Sequence, residues 1–206
     1  MQLPLVSALP AVNTMFRIAF VLALTTPLLH GVVLYSDDGL GVFDPVSGLS
    51  QASWGALHTA GLVCFGLAQV LLAHGLGAFG TGWLWPYGRA VLGACGVTTF
   101  YVAYYFSTAD QQGLQGPGAN DPLWIVACLV GLAMGALQPG IGRMANGLGR
   151  FNGLCLVLWI LLIPAVLLVD VISIGVYERL VGAVYCVWVA GLCLGAGHFA
   201  KPASPQ

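Results

Sequence analysis

The chain has 206 residues, of which 59% are hydrophobic and 6% are charged, and its mean hydropathy is +0.92. About a quarter of the residues in a soluble domain are charged, so this composition excludes a soluble protein and predicts an integral membrane protein. The net charge of -1 provides no general attraction to nucleic acid or to an anionic membrane surface, and we expect no nucleic-acid partner.

Six apolar runs are long enough to cross a bilayer, which takes about 20 residues of helix. The chain is therefore predicted to be all-α, with residues 1–206 forming one integral membrane domain, a six-transmembrane-helix bundle. The predicted helices are 15–35, 54–76, 89–107, 122–142, 152–169 and 180–199. The first run is predicted to be a retained helix rather than a signal peptide, because it is long and lacks a small-x-small cleavage site before Ser36.

Three connections have distinctive sequences. Residues 77–89 contain several glycines and the aromatic residues Trp83, Trp85 and Tyr87, which is typical of a connection at the headgroup level. Residues 143–151, RMANGLGRF, are predicted to be a short basic loop. Residues 171–180, VISIGVYERL, are partly apolar and are predicted to pack on the membrane surface before helix six.

The distribution of charge predicts the orientation, because short loops rich in Lys and Arg stay in the cytoplasm. Five of the six cations fall at one set of helix ends, here called the inner end: Arg17, Arg89, Arg143, Arg150 and Lys201. Arg179 and the seven acidic residues fall at the opposite, outer end. Both termini are therefore expected in the cytoplasm, with an acidic face outside.

Carboxylates cluster in the first outer connection, at Asp37, Asp38 and Asp44. Carboxylate oxygens are ligands for hard divalent cations, so a cation site is one interpretation of this cluster. Solvated loop charge is the plainer interpretation.

The four histidines pair by depth, His30 with His58 near the outer end and His74 with His198 near the inner end. Imidazole is a usual axial ligand of haem, so a transmembrane electron carrier with haem b is an alternative function. However, His58 and His74 are sixteen positions apart and point to nearly opposite sides of helix two. Interfacial or hydrogen-bonding histidines are the plainer interpretation, and no cofactor is predicted.

Catalytic patterns are sparse. The predicted helix centres contain no charged residue, which argues against a proton pump, a voltage sensor or an ion-coupled transporter. Their polar groups include Gln69, Thr99 and Gln138. A second alternative is a membrane-embedded hydrolase or transferase, because the outer face offers serines together with a histidine base. These residues are Ser47, Ser50, Ser53 and His58.

Small residues inside the helices favour close packing. Gly131 with Gly135 and Gly191 with Gly195 form small-xxx-small pairs, which serve packing within a bundle or contact with another membrane protein or a second copy. The six cysteines fall in predicted helices without CxxC spacing and are expected to be packing residues.

Three stretches, FDPVSGLS, HTAGLVCFGLAQVLLAHGL and GVYERL, occur in an order that resembles family 998 of the bacterial domains of unknown function. Members of that family are six-helix membrane proteins with a Ser-acid-Leu type motif in the first outer loop and a Gly-x-x-Glu-Arg type motif before the last helix. The resemblance covers about Arg17 to Lys201. It places the motifs on Ser47, Gly48 and Leu49 and on Gly175, Glu178 and Arg179.

Gly48 departs from the family pattern, because an acidic or amide side chain is expected there. Gln51 is close enough in sequence to take its place. The family implies a fold and a location in the cell inner (plasma) membrane, without an activity.

Together these features predict an outer-face cluster of Ser47, Gln51, Glu178 and Arg179. In it the first connection folds over the end of the bundle and is held there by Arg179, paired with a carboxylate. The predicted function is that of a non-enzymatic accessory, lipid-interacting or complex-forming subunit, surrounded by the lipid bilayer, which uses this acidic outer face.

Overall fold

Six α-helices make up almost all of the structure, a computed structural model that describes residues 9–36, 46, 49, 53–80, 82–108, 121–165 and 174–200. They are α1 Leu9–Ser36, α2 Gly55–Gly75, α3 Leu84–Thr108, α4 Asp121–Met144, α5 Asn146–Ala165 and α6 Ile174–Phe199. A 3-10 turn, Leu76–Ala78, continues α2. Each helix is long and apolar enough to span a membrane, and the described ranges contain no strand. The predicted six-helix membrane bundle is confirmed.

The helices are arranged as a ring. Each helix packs against its neighbours in the chain, and α6 closes the ring by packing against α1 and, more lightly, against α2. α2 and α6 bury the largest share of their apolar spans and α1 the smallest. The outer end of the bundle is therefore built by helices that are distant in sequence, with α6 lying beside α1 and α2.

α2 and α3 approach so closely that two glycines meet. A Cβ atom added at Gly96 would lie 2.6 Å from the carbonyl oxygen of Gly66, and one added at Gly66 would lie 2.8 Å from that of Gly96. Backbone atoms cannot move aside as flexible side chains can, so this crossing requires glycine on both helices. It is the close packing that small residues allow in membrane bundles.

α3 begins at Leu84, five residues earlier than the sequence predicts, because part of the aromatic connection is helical. Pro86 lies in the first turn, where the missing N–H costs no intrahelical hydrogen bond. Trp83 and Tyr87 are exposed, as expected at a headgroup level, whereas Trp85 is buried. The Trp85 indole N–H donates to the Leu76 carbonyl at 3.0 Å and closes the turn between α2 and α3.

Three further helices begin six residues earlier than predicted. α1 starts at Leu9, within the segment predicted to precede the first helix. α5 starts at Asn146, so the predicted basic loop is reduced to Ala145 between two helices. α6 starts at Ile174, so the predicted surface segment is its first turns and contains Glu178 and Arg179. Residues 166–169, predicted to end helix five, lie outside the described part of the chain.

The two predicted glycine pairs differ in their surroundings. Gly191 and Gly195 pack inside the bundle, against Phe151 and Leu148 of α5. Gly131 faces Trp159, whereas a Cβ atom at Gly135 would meet nothing within 4 Å. Internal packing therefore accounts for three of these four glycines.

Candidate functional site at the outer end of the bundle

The first outer connection is attached to α6. The Val46 backbone N–H donates to Glu178 Oε2 at 2.6 Å, across 132 residues of sequence. Leu49, three residues later, is fully buried. A hydrogen bond to a carboxylate is stronger than one between neutral groups, and burial of a leucine side chain contributes about 1.5–3 kcal/mol. The hydrogen bond to Glu178 attaches the connection to α6, and the burial of Leu49 stabilises it in this position.

Arg179 lies next to this contact in α6. Its Nη1 atom donates to the Gly175 carbonyl at 2.9 Å, one turn earlier in the same helix. The sequence predicts that Arg179 holds the first connection, but the contact formed by Val46 uses Glu178. The predicted pairing of Arg179 with a carboxylate remains a prediction.

His30 and His58 contact each other at the same end of the bundle. Their ring centroids are 5.3 Å apart, with the planes inclined at 66°. The register is set one turn away, where the Thr26 hydroxyl donates to the Gly61 carbonyl at 2.7 Å and fixes α1 against α2. His30 follows Thr26 by four residues and His58 precedes Gly61 by three, so both rings lie at this helix contact.

Neither imidazole is satisfied at Nε2. Both Nε2 atoms are buried and have no hydrogen-bond partner among the residues that the structure describes. His58 is only 2% exposed, whereas His30 is half-buried. A buried polar atom without a partner costs about 1–3 kcal/mol, so packing alone gives no reason for two such atoms to lie side by side.

The charge of Arg179 acts on both rings. It also acts on Glu178, whose carboxylate is stabilised by the Val46 N–H. Helices α1, α2 and α6 thus bring two imidazoles, a guanidinium and a carboxylate to the outer end of the bundle. Ionisable groups within membrane helices mark functional sites by default.

The other predicted site residues are placed as follows. His74 and His198, at the inner end, are both exposed. The contrast between buried His58 and exposed His74 agrees with their sixteen-residue spacing. Several predicted site residues lie outside the described ranges: Ser47, Gln51, Asp37, Asp38 and Asp44.

The geometry bears on both alternative functions. The His30 and His58 rings contact each other directly, whereas the two axial ligands of one haem bind its iron from opposite faces of the porphyrin. Within the described ranges, no three His, Cys, Asp or Glu side chains are grouped so as to hold a metal ion. His58 Nε2, the atom that could act as a base toward a serine, has no hydrogen-bond partner among the described residues.

The middle of the bundle contains a polar cluster in which Tyr185 is central. The Tyr185 hydroxyl donates to Gln69 Oε1, and Gln69 Nε2 donates to the Phe65 carbonyl at 3.1 Å. The Tyr185 ring packs edge-on against Phe65 and Trp159. Here a buried amide and a buried phenol satisfy each other between α2 and α6, which is the behaviour of a structural network.

A second buried cluster joins α4, α5 and α6 through Asn152. Its Nδ2 group donates to the Met134 carbonyl at 3.0 Å and to Gln138 Oε1, and its Oδ1 accepts from Trp188 Nε1 at 2.7 Å. Gln69 and Gln138 are among the polar groups predicted within the helices, whereas Tyr185, Asn152 and Trp188 are not. Their position within long apolar runs is the signal that marks them.

An open groove of about 410 Å³ lies between the start of α5 and the end of α6, at the inner end. Its lining is almost wholly apolar and includes Leu148, Phe151, Leu194 and Phe199, with His198 at one side. α5 and α6 contact each other less than any other pair of neighbouring helices in the ring. In a bilayer, lipid chains would fill this space.

The fold and the site define a multi-pass α-helical membrane protein with ionisable groups gathered at its outer end. No protein-family model matches the chain, and no curated protein or solved structure shows significant similarity to it.

Proposed function

We propose that the protein is a non-enzymatic subunit of the cell inner membrane that recognises a lipid or another membrane protein through the outer end of its bundle. The observation that carries this proposal is the pair of buried, unsatisfied imidazoles beside the connection that Glu178 holds. The middle of the bundle satisfies its polar groups, so the unsatisfied ones indicate where an external group binds.

Membership of family 998 is part of the proposal. Glu178 of the second motif accepts the N–H of Val46, which directly precedes the first motif, and Leu49 of the first motif is buried. This proximity of two motifs that lie more than a hundred residues apart supports a shared family architecture.

The proposal also includes the orientation, with both termini cytoplasmic. It is supported by the positions of Arg89 and Arg143, which lie together at the inner end, against Gly77 and Gly82 respectively. Tyr35 and Trp83 are exposed at opposite ends, by 92% and 80%. In intact cells we expect a membrane-impermeant maleimide to label Tyr35→Cys and to spare Trp83→Cys, in a Cys128→Ser background. The reverse pattern would invert the orientation.

Recognition is tested by extracting the protein with its surrounding lipid in polymer nanodiscs and identifying what remains bound by native mass spectrometry. Leu49→Ser should detach the first connection and release the retained lipid or partner. Leu28→Ser is the matched control, because Leu28 is 68% exposed at the outer part of α1. Wild-type protein that retains neither lipid nor partner would count against the proposal. A visible absorption band characteristic of haem would replace it by the electron-carrier alternative.

A further inference from the structure

The unsatisfied imidazoles at the outer end limit the chemistry of a ligand. A neutral imidazole nitrogen either donates or accepts, depending on the tautomer, so His30 and His58 alone fit a metal ion or a hydrogen-bond acceptor. The rings are in contact at 5.3 Å and come from two helices fixed by the bond between Thr26 and Gly61. One small group can therefore contact both rings.

The surroundings of the rings favour the second kind of ligand. Within the described ranges no third His, Cys, Asp or Glu side chain is grouped with the two imidazoles as a metal site would require. Arg179, in the second turn of α6, also places a positive charge near both rings, which disfavours a cation between them. A hydrogen-bond acceptor such as a negatively polarised oxygen is therefore the ligand that fits both imidazoles.

We propose that His30, His58 and Arg179 form a binding site for an oxyanion, the phosphate or carboxylate group of a lipid headgroup or of a soluble anion. The proposal rests on the proposed function, because it names the group that the outer end recognises. Each imidazole donates from Nε2, with its other nitrogen unprotonated, and Arg179 provides the charge. Arginine suits this role because its guanidinium stays charged and matches oxyanion geometry.

The position of the site fits an anion near a membrane surface. His30 lies six residues before the end of α1, and Arg179 is in the second turn of α6. α1 has the least buried span of the six and His30 is only half-buried, so His30 is the imidazole of the pair nearer to the surroundings of the bundle. The headgroup of a lipid alongside α1 and an anion from solution are the two sources of such a ligand.

The experiment uses full-length protein in nanodiscs of phosphatidylcholine. One arm adds inorganic phosphate and measures binding by calorimetry. The other adds phosphatidylglycerol and measures its enrichment over phosphatidylcholine by native mass spectrometry. Binding in the first arm identifies a soluble anion, and enrichment in the second identifies a lipid headgroup.

We expect His58→Leu, His30→Leu and Arg179→Gln each to weaken binding at least tenfold in the arm that responds. His74→Leu and His198→Leu are the matched controls, because these histidines are exposed at the inner end, and they should bind like wild type. His58→Gln retains a donor near the Nε2 position and should recover part of the binding. Partial recovery in this variant would show that His58→Leu weakens binding because the donor is lost and not because the protein fails to fold.

Arg179→Gln distinguishes an oxyanion from a metal site by the sign of its effect. An oxyanion should bind more weakly when the positive charge is removed, whereas Zn²⁺ should bind more tightly. Zinc binding that is lost in His58→Leu and strengthened in Arg179→Gln would overturn the proposal. Absence of both phosphate binding and phosphatidylglycerol enrichment would also overturn it.

The same measurements separate this proposal from the proposed function. If both histidine variants still retain the native lipid or partner, recognition at the outer end stands and the oxyanion site is wrong. If wild-type protein binds phosphate in vitro but is extracted without lipid or partner, the oxyanion site stands and the recognition function is wrong.

Discussion

Polar side chains at the inner and outer ends of the bundle differ in whether their buried atoms have hydrogen-bond partners. At the inner end, Arg89 Nε donates to the Ala73 carbonyl at 2.9 Å and Trp85 Nε1 donates to the Leu76 carbonyl. Arg143 lies against Gly82, where an added Cβ atom would come within 2.7 Å of Arg143 Nη1 and where the positive φ of 85° also favours glycine. At the outer end, His30 and His58 touch each other while their Nε2 atoms find no partner among the described residues.

This difference indicates that polar groups have a structural role at the inner end and a different role at the outer end. At the inner end, long side chains close the turn between α2 and α3 by donating to carbonyl groups at the end of α2 and in the 3-10 turn that continues it. The outer end keeps polar atoms that lower stability. Proteins tolerate such a cost where a site needs it for function. Substitutions at the two ends should therefore differ in the size and the sign of their effect on stability. Substitutions in the middle of the bundle, where the polar groups are hydrogen-bonded to each other, provide a third case.

The largest loss of stability is expected for Asn152→Leu, in the middle of the bundle. This change leaves Trp188 Nε1 without its partner and removes the side-chain donor from Gln138 Oε1 and the Met134 carbonyl, and an unsatisfied buried polar atom costs about 1–3 kcal/mol. We expect the free energy of unfolding in mixed micelles to fall by roughly 3 kcal/mol. Asn146→Leu, at an exposed position, is the control. A loss below about 1 kcal/mol would mean that the buried network is not structural.

A smaller loss of stability is expected for Arg89→Leu, at the inner end. The variant removes the charge-assisted bond to the Ala73 carbonyl, and such bonds contribute about 1.5–3 kcal/mol. Part of that loss is recovered because water reaches this end, so we expect a decrease of roughly 1–2 kcal/mol. Arg150→Leu, which replaces an exposed arginine, should change the melting temperature little. Equal effects of the two substitutions would remove the special role of Arg89 in closing the turn.

The number and order of helices could be predicted from the sequence, because runs of about 20 apolar residues have few other folds open to them. Helix ends could not. The aromatic run from Trp83 to Tyr87 reads as interfacial, yet Trp85 turns inward because the Leu76 carbonyl accepts its N–H. Glu178 and Arg179 read as the end of a surface segment. Val46 and Gly175 provide partners that allow both to lie within a helix.

The site was predictable only in part. The depth of His30 and His58 follows from their positions in the apolar runs, but their contact depends on the rotation of α1 against α2. The hydrogen bond from the Thr26 hydroxyl to the Gly61 carbonyl sets that rotation. The sequence shows a threonine among apolar residues there but does not indicate which carbonyl accepts its hydrogen bond. In the same way, the sequence indicates an outer cluster around Glu178 and Arg179 but does not identify Glu178 as the acceptor for Val46.

At the outer end, Glu178→Gln should have a modest effect that is confined to the first connection. The amide oxygen can still accept the Val46 N–H, but without the charge the bond loses about half its strength. We expect global stability to fall by no more than about 1 kcal/mol. Limited proteolysis should nevertheless cut the first connection faster than in wild type. An unchanged cleavage rate would show that burial of Leu49 alone holds the connection.

The smallest effect on stability is expected for His58→Leu in the absence of added ligand. Its sign is opposite to that of the other substitutions, because stability is expected to be unchanged or to rise. The leucine has a similar volume, stays buried against His30 and removes a polar atom that has no partner among the described residues. We therefore expect the free energy of unfolding to stay within about 0.5 kcal/mol of wild type or to rise by about 1 kcal/mol. His30→Leu should change less, because His30 is only half-buried. A loss comparable to that of Asn152→Leu would show that the imidazole is satisfied in the folded protein, and the contrast between the two ends would disappear.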